Sequence, residues 1–271
     1  VSASTRALLP LALLALLATA APLLAPFDPA QQFDLLTLRS QPPSWAHPFG
    51  TDPYARDVLS RVLFGARVSL FVSCSAVLLG LLAGVGYGAL TVLAPHALRP
   101  WLRRFLDVLL ALPRILLLLA VAALVESRSL LVLVALVGLT GWFATARQVA
   151  DELEALQQRE FALAARAAGV RPWRLLRRHL LPHLRPLLVV NGTFAVANTI
   201  GLEAGLSFLG LGVQPPDASW GTILRDGAGT IGGDWWLVVF PGIATVLAVL
   251  ACNRAGDVLR DRFAPAHVAG P

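Results

Sequence analysis

Residues 164–182 read AARAAGVRPWRLLRRHLLP, a small-residue, arginine-studded stretch set between long runs of hydrocarbon. It is too polar to enter a bilayer and too patterned to be a linker. On its two sides lie charge-free runs at 129–146 and 186–202. Each approaches the roughly 20 apolar residues that a helix needs to cross a bilayer core. Further runs occur at 7–26, 68–98 and 235–253, and another at 108–125 is interrupted only by Arg114. These predict an all-α membrane protein of about six transmembrane helices, with the quoted stretch in a loop at 147–185.

Composition agrees. Hydrophobic residues make up 56% of the chain and charged residues 14%, with a mean hydropathy of +0.70, whereas soluble domains carry about 25% charged residues. The first run has a signal-like outline, with Arg6 ahead of it and Ala18-Thr19-Ala20 inside it. From Ala7 to Pro26 it exceeds the roughly 7–15 residues of a signal core, so a retained helix is expected. Arg114 lies near one end of its run, where it can snorkel.

All 22 basic residues are arginine, and their positions set the orientation. If the spans alternate from a cytoplasmic N-terminus, the inner segments hold Arg6, then Arg99, Arg103 and Arg104, then eight from Arg147 to Arg185, then Arg254, Arg260 and Arg262. The outer segments hold Arg39, Arg56, Arg61, Arg67, Arg128 and Arg225. The positive-inside rule then places both termini in the cytoplasm. The net charge of +6 is topological, so no nucleic-acid partner is implied. Cys74 is expected toward the outer face and Cys252 toward the inner, each as a packing residue.

The chain divides on this map into a first helix with a short N-terminus at 1–28, an external segment at 29–66, a membrane core at 67–263 and a tail at 264–271. In the external segment, Thr51 and Asp52 before Pro53 predict a capped amphipathic helix over 53–64, with Arg56 and Asp57 as a surface pair.

The loop at 147–185 reads helix, turn, helix. Asp151, Glu152 and Glu154 suit the first turn of a helix ending at Ala168, with Gly169 as its cap. Pro172 suits the first turn of a second helix, and Pro182 its end. At 100° per residue Trp173, Leu176 and Leu180 share one face and Arg174 and Arg178 another. Either a headgroup-bound helix or a docking element has this form. The alanines at 162, 164, 165, 167 and 168 permit close approach by a partner and favour docking.

Leu163-Ala164-Ala165, Gly169 and Leu181-Pro182 resemble, in register, the cytoplasmic EAA motif of ABC-importer permeases. Three further stretches are similar to the second permease of dipeptide, oligopeptide and nickel importers. They are His47-Pro48-Phe49-Gly50-Thr51-Asp52 with Arg56-Asp57-Val58-Leu59-Ser60-Arg61; Leu206 to Val213 with Ser219-Trp220-Gly221; and Phe240-Pro241-Gly242 with Asn253-Arg254-Ala255-Gly256-Asp257. The resemblance implies a type I ABC-importer permease fold in a bacterial or archaeal inner membrane. It also implies a coupling surface for an ATP-binding subunit, with Leu163, Ala164, Ala165, Gly169, Trp173, Arg174, Leu176, Arg178, Leu180 and Pro182 as its residues. The implied partners are a homologous second permease, two ATPase subunits, an extracytoplasmic solute-binding protein and the lipid bilayer. No cofactor or metal is expected on this chain, ATP and Mg being used by the ATPases. Peptides are the implied cargo, with nickel or another small solute as the alternative.

Three positions depart from the resemblance: Leu163 where an acid is usual, Ala55 where Gly is, and His183 where Asn is. Glu160 stands one turn before Leu163. Asn191, Asn198 and Glu203 in the fifth run are candidates to line a path, Glu203 by default as an acid beside hydrocarbon. Glu203 reads equally well as a carboxylate pinning the loop that follows.

An intramembrane enzyme fits less well. Gly205-Leu206-Ser207 offers a serine, but none of the histidines at 47, 96, 179, 183 and 267 lies in a run that would bring it within reach. The chain has no lysine, so it has no glycine-rich loop followed by Lys. A passive channel would have no use for the docking loop.

Overall fold

The computed structural model describes residues 3–125, 129–229 and 233–263. The tail at 264–271 and Arg128 lie outside them. Among the described residues the fold is helical, with a single isolated bridge between Thr51 and Asp57. Four helices are long and apolar enough to cross a membrane: α3 (Val58–Leu93), α6 (Leu130–Gln157), α10 (Arg185–Phe208) and α12 (Trp236–Phe263). They coincide with the second, fourth, fifth and sixth runs.

The other two runs are broken. The first forms α1 (Ala3–Thr19) and the short α2 (Ala21–Leu24), which has Pro22 in its first turn. The third forms α4 (Arg99–Ala111) and α5 (Arg114–Leu124), bent by 84°. The bend falls at Leu112-Pro113, where Leu112 is extended at φ −80°, ψ 128°. A residue before proline is driven out of helical geometry, and proline has no N–H to continue the ladder.

By contacts the chain forms two compact units. The first comprises residues 1–75, 125–134 and 193–258, the second 76–124, 135–192 and 259–271.

In the first unit the segment from Phe27 to Asp57 folds without regular structure and is held by buried polar groups. The expected helix over 53–64 does not form. Residues 53–57 make a turn and α3 starts at Val58, because Asp57 caps it: Oδ2 accepts from Ser60 N–H and Ser60 Oγ–H, both at 2.8 Å. The other carboxylate oxygen of Asp57 lies 2.9 Å from His47 Nδ1. Arg56 and Asp57 are not a surface pair either, since both are buried. Arg56 Nε donates to Asp52 at 2.7 Å and its Nη2 to Asp226 at 3.0 Å, while Arg61 Nη1 donates to both carboxylates. Asp52 also accepts from the N–H groups of Tyr54 and Arg56. Two arginines and two aspartates thus neutralise each other and tie the external segment to α11 (Trp220–Ala228). Ala55, in the turn they enclose, takes a left-handed φ of 55°, which explains why glycine is usual there.

The same segment sets the depth of two spans. Val58 N–H donates to Gly50 O at 3.1 Å, and Trp236 Nε1–H to Thr51 O at 3.0 Å, so α3 and α12 start against adjacent residues. Phe49 stacks on Phe240 with ring centres 3.9 Å apart. Cys74 and Cys252 each lie sixteen residues beyond these starts, about 24 Å along either helix at 1.5 Å per residue. Measured along the two helices they lie at similar depth, which corrects their expected placement on opposite faces.

In the second unit α3 crosses α6 on a glycine stripe. A Cβ at Gly84 would stand 2.7 Å from Thr145 Cβ, and one at Gly88 2.6 Å from Val149 Cγ1. Without a hydrophobic drive between helices in lipid, such close backbone approach supplies the packing. Arg114 does not snorkel away: Nη2 donates to Val137 O at 2.9 Å, beside Gly141.

Replacing Asp226 by Ala leaves Arg56 and Arg61 sharing one carboxylate. Breaking a buried pair from one side costs about 3–5 kcal/mol, so thermal unfolding of the detergent-purified Asp226→Ala protein is expected to show a loss of that order. A change below about 1 kcal/mol would mark the cluster as a solvated pair.

Candidate coupling surface

The loop is built from the end of α6 inward to α10, all within the second unit. The expected helix over 151–168 is interrupted. α6 continues to Gln157, Gln158 and Arg159 break it, and α7 runs Glu160–Ala167. Beyond α7, Gly169 N–H donates to Arg166 O at 2.9 Å and Val170 N–H to Ala165 O at 3.1 Å, the paired bonds of a Schellman termination. Gly169 has φ +78°, and a Cβ there would meet nothing within 4 Å. Backbone conformation, not crowding, requires glycine.

Arg171 is extended and Pro172 opens α8 (Pro172–Leu175), as expected. A π-helical turn over Leu176–Leu180 follows, and α9 is Leu181–His183. Pro182 does not stop the helix; it sits in the first turn of α9, where its missing N–H is harmless. His183 stacks on Phe161 with ring centres 4.9 Å apart, holding the two arms of the hairpin together.

The π turn changes which side chains face the chain's own core. Leu175, Leu176, Leu180 and Leu184 are all buried against Val92 of α3, Val149, Leu153 and Leu156 of α6, and Ala162 of α7. Leu176 and Leu180 therefore cannot fill a partner's cleft, and that expectation is corrected. Trp173, placed on their face by a 100° wheel, is instead 60% exposed. A wheel of constant period misses Leu175 because a π turn brings residues five apart into line.

What remains outward is a compact surface. Leu163 is 52% exposed, and Ala164, Ala167, Ala168 and Gly169 are exposed beside it. Trp173, Arg174, Arg177 and Arg178 complete it from the second arm; Arg177 was not anticipated. Ala165 and Pro182 are half-buried. Glu160 is exposed at the start of α7, on the same arm as Leu163.

The candidate path residues separate. In the second unit Asn191 Nδ2–H donates to Gln148 Oε1 at 2.7 Å. In the first, Asn198 is exposed on α10, and Gly201 and Gly205 are exposed along the same helix. Glu203 is fully buried, accepting from Ser69 Oγ–H and Ser207 Oγ–H at 2.7 Å each. Ser207 Oγ in turn accepts from Val213 N–H at 3.0 Å. Glu203 thus holds the loop after α10 through a serine, and a side chain enclosed in this way lines no open path. Ser219 caps α11 in a capping box with Thr222, and Trp220 Nε1–H donates to Val62 O at 3.1 Å, so these loop motifs are structural.

Residues 76–267 match the family described as binding-protein-dependent transport system inner membrane component. The chain belongs to this family. It is thus a multi-pass inner-membrane permease component, and the matched region contains the whole hairpin. It is 42% identical over 246 residues to a putative peptide permease protein of Brucella suis, covering 90% of this chain and 80% of that one. It is 37% identical over 250 residues to the dipeptide transport system permease protein DppC of Bacillus subtilis, covering 92% and 77%. It is also 38% identical to the di/tripeptide permease DppC of Pseudomonas aeruginosa, over 90% and 82%. Among solved structures, the inward-facing MetNI methionine ABC transporter is similar in fold, with a TM-score of 0.61 and 23% identity over 75% of this chain and 97% of that one.

Gly169→Ala forces a left-handed conformation on an L-residue at about 1–2 kcal/mol, whereas Gly169→Asn is expected to keep it at lower cost. Hydrogen exchange over 160–184 should accelerate in the alanine variant and stay near wild type in the asparagine variant. Equal protection in both would show that φ at 169 does not hold the turn.

Proposed function

We propose that this chain is one of two membrane halves of an ATP-driven importer that takes up di- or oligopeptides delivered by an extracytoplasmic binding protein. A homologous permease supplies the other half, and two ATPase subunits hydrolyse ATP with Mg on the cytoplasmic side. The chain itself performs no covalent chemistry and holds no cofactor. Both termini are cytoplasmic, in keeping with the arginine distribution. The observation that carries this reading is the hairpin, whose leucines are committed inward while Leu163, Ala164, Gly169, Trp173 and Arg174 are presented outward. Peptide cargo is supported by the relatives named peptide permeases, which match most of the chain.

Closure of the ATPases pushes on this outward surface. Because the inward leucines pack on α3 and α6, the push reaches membrane helices without a flexible intermediate. Asn198, with Gly201 and Gly205, forms the α10 face turned to the partner permease or the path, since an exposed amide is poorly suited to lipid. Asn191 belongs to the same proposal through its pair with Gln148. Alternating access then moves the solute between the two halves.

The test is reconstitution of this chain with its candidate partners in proteoliposomes, following uptake of a labelled dipeptide. Uptake should require both ATP and the binding protein; uptake without ATP would refute the reading. Trp173→Asp should weaken retention of the ATPase at least about tenfold, in line with the roughly 2 kcal/mol or more carried by an interface aromatic, while leaving the permease folded. Leu176→Asp should instead destabilise the permease itself, by burying a charge without a partner. Undiminished ATPase retention by Trp173→Asp would remove the docking surface proposed here.

A further inference from the structure

Between the hairpin and the ends of α3 and α6 lies a cleft of about 370 Å³. Its floor is hydrocarbon, from Val92 at the end of α3, Val170, and Leu175, Leu176 and Leu180 of the second arm. Its rim carries two arginines, Arg99 at the start of α4 and Arg166 in α7. Arg99 Nε donates to Ala94 O and Arg166 Nη2 to the neutral Gln157 Oε1. Among the described residues neither has a carboxylate partner, although Arg103, in the adjoining cleft, is paired with Glu154. Two guanidinium charges with donors to spare thus stand over an apolar floor.

We propose that this cleft binds an anionic phospholipid of the inner leaflet, its phosphate between Arg99 and Arg166 and part of an acyl chain against Val92 and Val170. Charge complementarity selects an anion, and a guanidinium fork matches phosphate geometry. The apolar floor selects an amphiphile over a free ion. The position selects lipid over a protein side chain. The cleft opens where the α3 span ends, at Leu93, and Leu98 and Trp101, close in sequence to Arg99, are exposed as well, the three at 37%, 47% and 67%. An exposed tryptophan among leucines at the end of a span is the composition of a membrane interface, and basic pockets at that level take anionic headgroups. The bound phosphate links the turn between α3 and α4 to α7, so the coupling hairpin gains a lipid tie on the side opposite Trp173.

The experiment uses the full chain in nanodiscs, with a photoactivatable phosphatidylglycerol as probe and the matching phosphatidylcholine as control, and maps the adducts by mass spectrometry. The anionic probe should label residues 92–101 and 166–180, at least about tenfold over the zwitterionic one. A headgroup-level arginine contributes about fivefold in affinity, so Arg99→Gln and Arg166→Gln should each lower labelling by about that factor. Arg104→Glu, on an exposed arginine outside the cleft lining, controls for general surface attraction and should leave labelling of these two segments unchanged. Glycerol 3-phosphate should not compete; effective competition would show a free-phosphate site instead. Equal labelling by the zwitterionic probe, or an Arg104→Glu effect as large as that of Arg99→Gln, would overturn the proposal. So would loss of labelling on adding the ATPase subunits, which would give the cleft to a protein partner.

Discussion

Hydrocarbon offers a peptide group no hydrogen-bond partner, and every irregular segment of this chain is shaped by that constraint. Where the backbone leaves the helical state it must do so at the membrane edge and satisfy its own polar groups. The external segment does this with buried carboxylates: Asp52 accepts backbone N–H groups as well as two arginines, and Asp57 caps α3. The cytoplasmic hairpin does it with the Schellman bonds at Gly169. The external segment has no regular structure to lend it stability and depends on carboxylates that accept several hydrogen bonds at once, whereas the hairpin is short helical pieces joined at Gly169.

Span positions were legible in the sequence because length and hydropathy decide them. Four of the runs are the four long helices; the run at 108–125 reads as one more span, and its bend at Leu112-Pro113 was not anticipated. The hairpin's caps were legible too, since glycine at a left-handed residue and proline at a first turn each follow from local sterics. Burial within the hairpin was not. The π turn at Leu176–Leu180 shifts the phase by one residue, and nothing in RLLRRHLLP distinguishes a period of 3.6 from one of 4.4 until the leucine-lined pocket between α3 and α6 is in place.

The external motif was misread for a related reason. Asp-Pro is a fair helix start, but Asp52 instead pairs with Arg56 and Arg61, two arginines that also bind a distant carboxylate. Asp226 is 170 residues beyond Arg56, and only the fold brings them together. Arg56 and Asp57 then read as a surface pair, because a buried ion cluster and a solvated face have the same composition. Glu203 beside hydrocarbon read equally as a path residue or as a pin for the loop that follows, and its hydrogen bonds from Ser69 and Ser207 fit the pin.

The division of the hairpin into two faces bears on how a push could be transmitted. A docking element attached only by its ends would yield to load by rotating. Here the second arm is fixed along its length by Leu175, Leu176, Leu180 and Leu184, and the first by Ala162 and the stacking of Phe161 on His183. Displacing Trp173 therefore requires displacing packed leucines, which interiors at close-packed density resist. Those leucines meet α3 at Val92, one turn beyond Gly88, whose backbone lies against Val149 of α6. At that contact only the Val149 side chain stands between the two backbones, so on the proposed coupling role a movement of the hairpin would reach both helices with little to compress. The small residues on α3 and the large ones on the hairpin thus serve one packing requirement, a close fit of the hairpin to the ends of α3 and α6.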